Sequence, residues 1–133
     1  MPAGTLNLIG SLRVEQGATY RLNASWKYAS GEMRDLSSGW SARMQIRAKK
    51  LGEVALISLT SEASGGIRLT NGTLEEGETI PSNIKIYMSP AQTGSLSVKQ
   101  VFYDLEIEDD VGEDGDVFRL LEGYCEVALN VTR

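Results

Sequence analysis

The 133-residue chain contains no histidine. That excludes Ser-His-Asp and Cys-His catalysis, histidine-bearing metal sites and the usual proton shuttle near neutral pH. Cysteine occurs once, at Cys125. One cysteine cannot close an intrachain disulfide, and the cysteine clusters that hold zinc or iron–sulfur centres are impossible. No stretch approaches the roughly 20 consecutive apolar residues of a membrane helix, and the N-terminus does not read as a signal peptide. Aromatic residues make up only 7%, and most fall on apolar positions, which argues against a sugar-stacking strip. These absences point away from an enzyme and from any metal or cofactor. Nucleic acid is a poor partner for a chain with 13 basic and 18 acidic residues, and no membrane association is expected. The charge is uneven along the chain: residues 1–70 carry a net +4 and residues 71–133 a net −9.

What the sequence does contain is period-two alternation. Tyr20, Leu22, Ala24 and Trp26 alternate with Thr19, Arg21, Asn23 and Ser25. A strand sends such sets to opposite faces, one buried and one wet. The pattern returns at Trp40, Ala42, Met44, Ile46 and Ala48, at Val101, Tyr103, Leu105 and Ile107, and at Cys125, Val127, Leu129 and Val131. Shorter strands are expected at residues 12–15, 54–59, 67–69 and 84–88. Gly-rich and Ser-rich turn clusters separate them, and Asn71-Gly72 is the strongest short hairpin cue. Ser89 followed by Pro90 predicts a capped helical turn that Gly94 ends, crossing from one sheet to the other. The expected architecture is all-β: an immunoglobulin-like antiparallel β-sandwich of seven to nine strands with one short helical turn. Residues 12–133 form its single domain. Residues 1–11 are an N-terminal arm or a first strand. Leu6, Leu8 and Ile9 are too apolar to be left in water, and either join this domain's own sheet or add to a neighbour's. The expected core comprises Trp26, Met44, Ile46, Tyr103, Leu105, Val127 and Leu129, with Trp40 as a further anchor and Cys125 as a buried, inert thiol.

Two charged features stand out. Residues 108–116 hold six carboxylates, but as a calcium loop they fail at Gly112 and Leu121, where oxygen ligands are required. They read as a wet hairpin tip. Arg43, Arg47 and Lys49 alternate on one strand and predict a basic sheet face that meets an acidic surface on another protein or another copy. With Leu6, Leu8 and Ile9 they are the candidate protein-interface residues. Asp35 needs no more than a turn role.

The segments LRVEQGATY at 12–20, Asp35 with Leu36, ARMQIR at 42–47, YDLEI at 103–107 and RLLEG at 119–123 resemble small virion proteins of tailed bacteriophages. These are similar to the immunoglobulin-like N-terminal domain of phage baseplate upper proteins. The resemblance runs from about residue 12 to residue 131. It implies a non-enzymatic adaptor, collar, tail or baseplate subunit that docks other virion proteins or fibres. It also implies a homo-oligomer or ring within the particle, made in the host cytoplasm and located in the virion. A capsid decoration protein is the nearest alternative. A cellular carbohydrate- or peptide-binding sandwich is the alternative from another class.

Overall fold

The alternating segment that begins at Tyr20 forms an eight-residue strand, and it organises one of two sheets. The computed structural model describes residues 5–9, 13–48, 55–109 and 116–129. In chain order the elements are β1 (Thr5–Ile9), β2 (Val14–Glu15), β3 (Tyr20–Lys27), β4 (Trp40–Arg47), β5 (Ile57–Thr60), β6 (Ile67–Leu69), β7 (Ile84–Met88), α1 (Pro90–Gly94), β8 (Gln100–Asp109) and β9 (Val117–Ala128). One sheet has the order β1-β3-β7-β6 and the other β2-β9-β8-β4-β5. With β2 and β5 set aside, the first sheet joins the first, second, fifth and fourth strands, and the other joins the third, sixth and seventh. That is the immunoglobulin plan, with β5 as an added edge strand and β2 a short offset of the first strand. One pair departs from the antiparallel expectation: β2 runs parallel to β9, with Val14 opposite Val127.

The inward alternates of the two sheets meet in one core. Leu22, Ile84, Ile86 and Met88 come from the first sheet, and Ile46, Leu59, Val101, Leu105 and Ile107 from the second. Each such side chain contributes about 1.5–3 kcal/mol on burial. Six of the seven expected core residues are buried; Leu129 is 36% exposed. The correction has a simple cause: β9 ends at Ala128, so Leu129 keeps the alternation but has no sheet above it. Trp40 is half-buried at the rim, with its ring 5.6 Å from Trp26 and 6.3 Å from Phe118.

The apolar segment forms β1. It pairs antiparallel with β3 of its own chain, with Leu6 opposite Trp26 and Leu8 opposite Ala24. Directly opposed residues share a face. Leu6 accordingly packs against the core, while Leu8 stays partly exposed at the sheet edge.

The capped turn is present. Ser89 Oγ accepts from the Gln92 amide at 3.2 Å, and Gln92 Oε1 accepts from the Ser89 amide at 2.9 Å, a reciprocal capping box. α1 carries the chain from β7 in one sheet to β8 in the other. Its buried Thr93 donates to the Ala18 carbonyl at 2.7 Å and accepts from the Gly17 amide at 3.1 Å, which clips the β2–β3 turn in place.

Asn71-Gly72 does not make the tight hairpin its sequence suggests. β6 and β7 are antiparallel neighbours, but residues 70–83 connect them by a long route. Asn71 Oδ1 accepts from the Thr73 amide at 3.0 Å, and Gly72 takes a φ of +86° against Met33. The pair therefore serves a loop turn in which a Cβ at residue 72 would collide with Met33. The same loop delivers Asn83, which is fully buried. Its side chain accepts from the Trp26 amide and donates to the Trp26 and Arg34 carbonyls, each at 2.9 Å. One amide side chain thus satisfies the end of β3 in place of a strand.

Candidate docking face

β4, β8 and β9 lie side by side, so their polar alternates form one outer surface of the five-stranded sheet. Register places Arg43 opposite Glu106, and Glu106 opposite Arg119. The second match depends on a bulge. Leu105 faces Leu121 but Glu106 faces Arg119, which leaves Leu120 as the extra residue. An extra residue in one strand re-aims the side chains beyond it. Arg43 donates to Glu106 Oε1 from Nε at 3.0 Å and from Nη2 at 2.8 Å. Arg119 Nη2 donates to Glu106 Oε2 at 2.8 Å, and its Nη1 reaches Glu122 at 3.3 Å. Hydrogen bonds from Arg119 and then Arg43 hold the Glu106 carboxyl below its ordinary value of 4.5.

Beyond the row of Gln45, Asp104 and Glu122, a further outward row holds Arg47, Phe102 and Tyr124 in register. Phe102 lies on the outward alternate yet is buried, and Tyr124 meets it edge-on at 5.4 Å while remaining 57% exposed. Arg47 donates to Gln45 Oε1. An exposed tyrosine on a rigid aromatic base is the residue type that anchors protein interfaces.

Arg43 and Arg47 therefore share a face, as expected, but the face is not basic. Asp104, Glu106 and Glu108 of β8 stand directly opposite Gln45, Arg43 and Ser41 of β4. The charge split between the chain halves is cancelled locally because sheet order interleaves them. Lys49 lies outside the described residues. Ile9 takes its place in β1 opposite Asn23. Tyr124 was missed by the sequence reading; its signal was an aromatic residue on the polar alternate beside Cys125 and Val127.

The outer face of the four-stranded sheet differs. A groove of about 620 Å³ borders Arg21, Tyr87, Arg68, Glu75, Glu78 and Lys85. Lys85 is only 8% exposed, although it sits on the polar alternate of β7. Residues 70–83 cover it: it donates to Glu78 and, at 2.9 Å, to Ser82 Oγ. Arg68 grips Glu75 with two hydrogen bonds of 2.7 Å. Lys85 and Arg68 hold the Glu78 and Glu75 carboxyls below their ordinary range. Arg21 lies over the Tyr87 ring at 4.9 Å.

The strands that flank the acidic segment pair with each other: Glu108 is opposite Val117, and the Asp109 amide donates to the Asp116 carbonyl at 2.8 Å. Residues 110–115, including Asp110 and Asp114, lie outside the described residues. Among the described residues no three acidic or cysteine side chains are grouped to hold a metal ion. Asp35 makes the turn: its Oδ1 accepts from the amide and hydroxyl of Ser37. Cys125 is buried, and burial pushes its thiol up to about 11, far from a nucleophilic thiolate.

No family model matches the chain, and no curated protein matches it. Among the solved structures to which the chain is similar are two of low identity. One is a cohesin module from a Clostridium perfringens family 33 glycoside hydrolase, 12% identical, with a TM-score of 0.40 over 98% of this chain and 100% of that one. The other is AggA, the major subunit of aggregative adherence fimbriae type I from Escherichia coli, 13% identical, with a TM-score of 0.33 over 96% and 94%. Likeness at this level supports no inference about function, and the strand order stands as the description of the chain: an immunoglobulin-like β-sandwich.

Proposed function

We propose that the chain is a non-enzymatic structural protein of a tailed phage virion, an adaptor, collar, tail or baseplate subunit that docks other virion proteins. The observation that carries this reading is the outer face of the five-stranded sheet. There Glu106 is fixed between Arg43 and Arg119, and Tyr124 projects from its Phe102 base. Charges that already have partners need little reorganisation on docking, and a rigid tyrosine loses little entropy. The resemblance of the segments at 12–20, 42–47, 103–107 and 119–123 to phage virion proteins supplies the setting. Two perturbed ionisable groups have structural causes: Glu106 is held by two arginines, and burial keeps the Cys125 thiol protonated.

The test is the composition of washed particles of the phage that encodes the chain. The expected result is the protein in the tail or collar at fixed stoichiometry. Tyr124→Ala should then fold and lose incorporation. Presence in hundreds of copies on the capsid surface would reassign it to capsid decoration. Absence from particles refutes the reading.

A further inference from the structure

Residues 73–81, in the connection between β6 and β7, cross over Lys85, yet none of them is buried. Their large apolar side chains, Leu74 and Ile80, are at least half exposed, so apolar burial does not hold the segment down. Its two ends are pinned by neutral hydrogen bonds. The Gly72 amide donates to Thr70 Oγ1 and Thr70 Oγ1 donates to the Ser82 carbonyl, each at 3.1 Å. The Thr70 amide donates to the Asn83 carbonyl at 2.9 Å. Between those ends, among the described residues, two carboxylates make the polar contacts with the sheet. Glu75 accepts both bonds of Arg68 from β6, and Glu78 accepts from Lys85 of β7. The two are tied to each other: the Glu75 amide donates to Glu78 Oε1 and the Glu78 amide to the Glu75 carbonyl, each at 3.0 Å.

Lys85 decides how this attachment fails. Its carboxylate partners, Glu78 and, at 3.9 Å, Glu75, both belong to the segment, and its further partner Ser82 Oγ is neutral. Charge-assisted bonds of this kind are strong, but a buried charge that loses its partner is costly. With Glu75 and Glu78 uncharged, the closed segment would hold an ammonium group away from water without a counter-charge. Lifting the segment hydrates it. The other titratable groups bordering the same groove are Arg21 of β3, Tyr87 of β7 and Glu62 of the loop after β5. Arg21 lies over the Tyr87 ring, and neither Arg21 nor Glu62 pairs with the segment. Glu76, exposed on the segment itself, makes no ion pair among the described residues.

We propose that residues 73–81 are an electrostatic strap that opens as a unit when Glu75 and Glu78 lose their charge, while the two sheets stay folded. Hydrogen bonds from Arg68 to Glu75 and from Lys85 to Glu78 hold both carboxyls below their ordinary value of 4.5. The strap is therefore closed at neutral pH and opens as pH falls from that value through the folded ones. Opening takes both carboxyls out of the groove and leaves Arg21, Arg68 and Lys85 facing Glu62. The acid form thus presents a basic strip that the neutral form masks. The device is separate from the docking face on the other sheet.

The experiment is measurement of NMR backbone order parameters on the full chain, which separate rigid backbone at about 0.85 from flexible backbone below about 0.6. Wild type is measured at about pH 7 and at about pH 3, below the ordinary carboxylate values. E75Q/E78Q and E76Q are measured at neutral pH; glutamine keeps the shape of a protonated glutamate and cannot ionise. In wild type, residues 73–80 should be rigid at neutral pH and fall below about 0.6 in acid. In E75Q/E78Q they should be flexible already at neutral pH, and in E76Q they should stay rigid. Residues 84–88 of β7 should stay rigid in every sample. A strap that is already flexible in neutral wild type, or that stays ordered in acid or in E75Q/E78Q, overturns the proposal. So does an E76Q variant that opens equally, or a β7 that loses order together with the strap.

Discussion

Asn83→Ala should be among the most damaging single substitutions in the chain. The residue is sealed from water, and its side chain makes three hydrogen bonds of 2.9 Å to main-chain groups of Trp26 and Arg34. Alanine leaves the Trp26 amide and the Arg34 carbonyl without this partner, while the Trp26 carbonyl keeps only the Arg34 amide at 3.3 Å. Each buried unsatisfied group costs about 1–3 kcal/mol, and partial relaxation brings the expected loss to ~4 kcal/mol. Against the ~5–15 kcal/mol of a typical domain, that is a large share. The assay is urea unfolding followed by tryptophan fluorescence, since Trp26 reports the site directly. With a slope of about 2 kcal/mol/M, the midpoint should fall by about 2 M at unchanged slope. Asn83→Asp is the control. It keeps the acceptor for the Trp26 amide but turns a carboxylate toward two carbonyl oxygens, so it should be no more stable than the alanine variant. A midpoint shift below about 0.5 M for Asn83→Ala would mean that water replaces the amide and that the site is not sealed.

Leu105→Ala should cost ~2–5 kcal/mol in the same assay, because Leu105 is fully buried at the centre of β8. Acid should destabilise the protein in a defined window. The Glu106, Glu75 and Glu78 carboxyls are all held below their ordinary value of 4.5. Their contribution is therefore complete above the unfolded value and is lost as pH falls from there through the folded values. Glu106→Gln should flatten that loss in a pH series of melting temperatures, and an unchanged slope would count against the Arg43–Glu106–Arg119 lattice. Cys125 should resist a disulfide reagent in the native protein at pH 8 and react fully in denaturant, because burial holds its thiol up at about 11. Rapid native labelling would show that β9 opens locally.

The sequence by itself determined which side chains point inward on the long strands. Alternation at Leu22–Trp26, Ala42–Ile46 and Val101–Ile107 is a local property of the backbone, because successive residues of a strand face opposite ways. The capped turn at Ser89 was legible for the same reason: both hydrogen bonds of its capping box lie within four residues. Local pattern failed wherever a partner lay far along the chain. Lys85 reads as exposed, and only the 70–83 loop folding back over β7 buries it beside Glu78 and Ser82. Asn83 reads as a loop residue, and only the end of β3 and the loop after it give its amide three main-chain partners. Phe118 to Leu121 shows no alternation, because the bulge opposite Leu105 and Glu106 shifts the register within that run. The charge pattern was the largest difference. Composition by halves suggests a basic patch at Arg43 and Arg47, but sheet order sets β8 beside β4, 63 residues apart at Arg43 and Glu106. Which face carries surplus charge is a property of strand neighbours, and strand neighbours are chosen by the packing of two whole sheets rather than by any segment's own sequence.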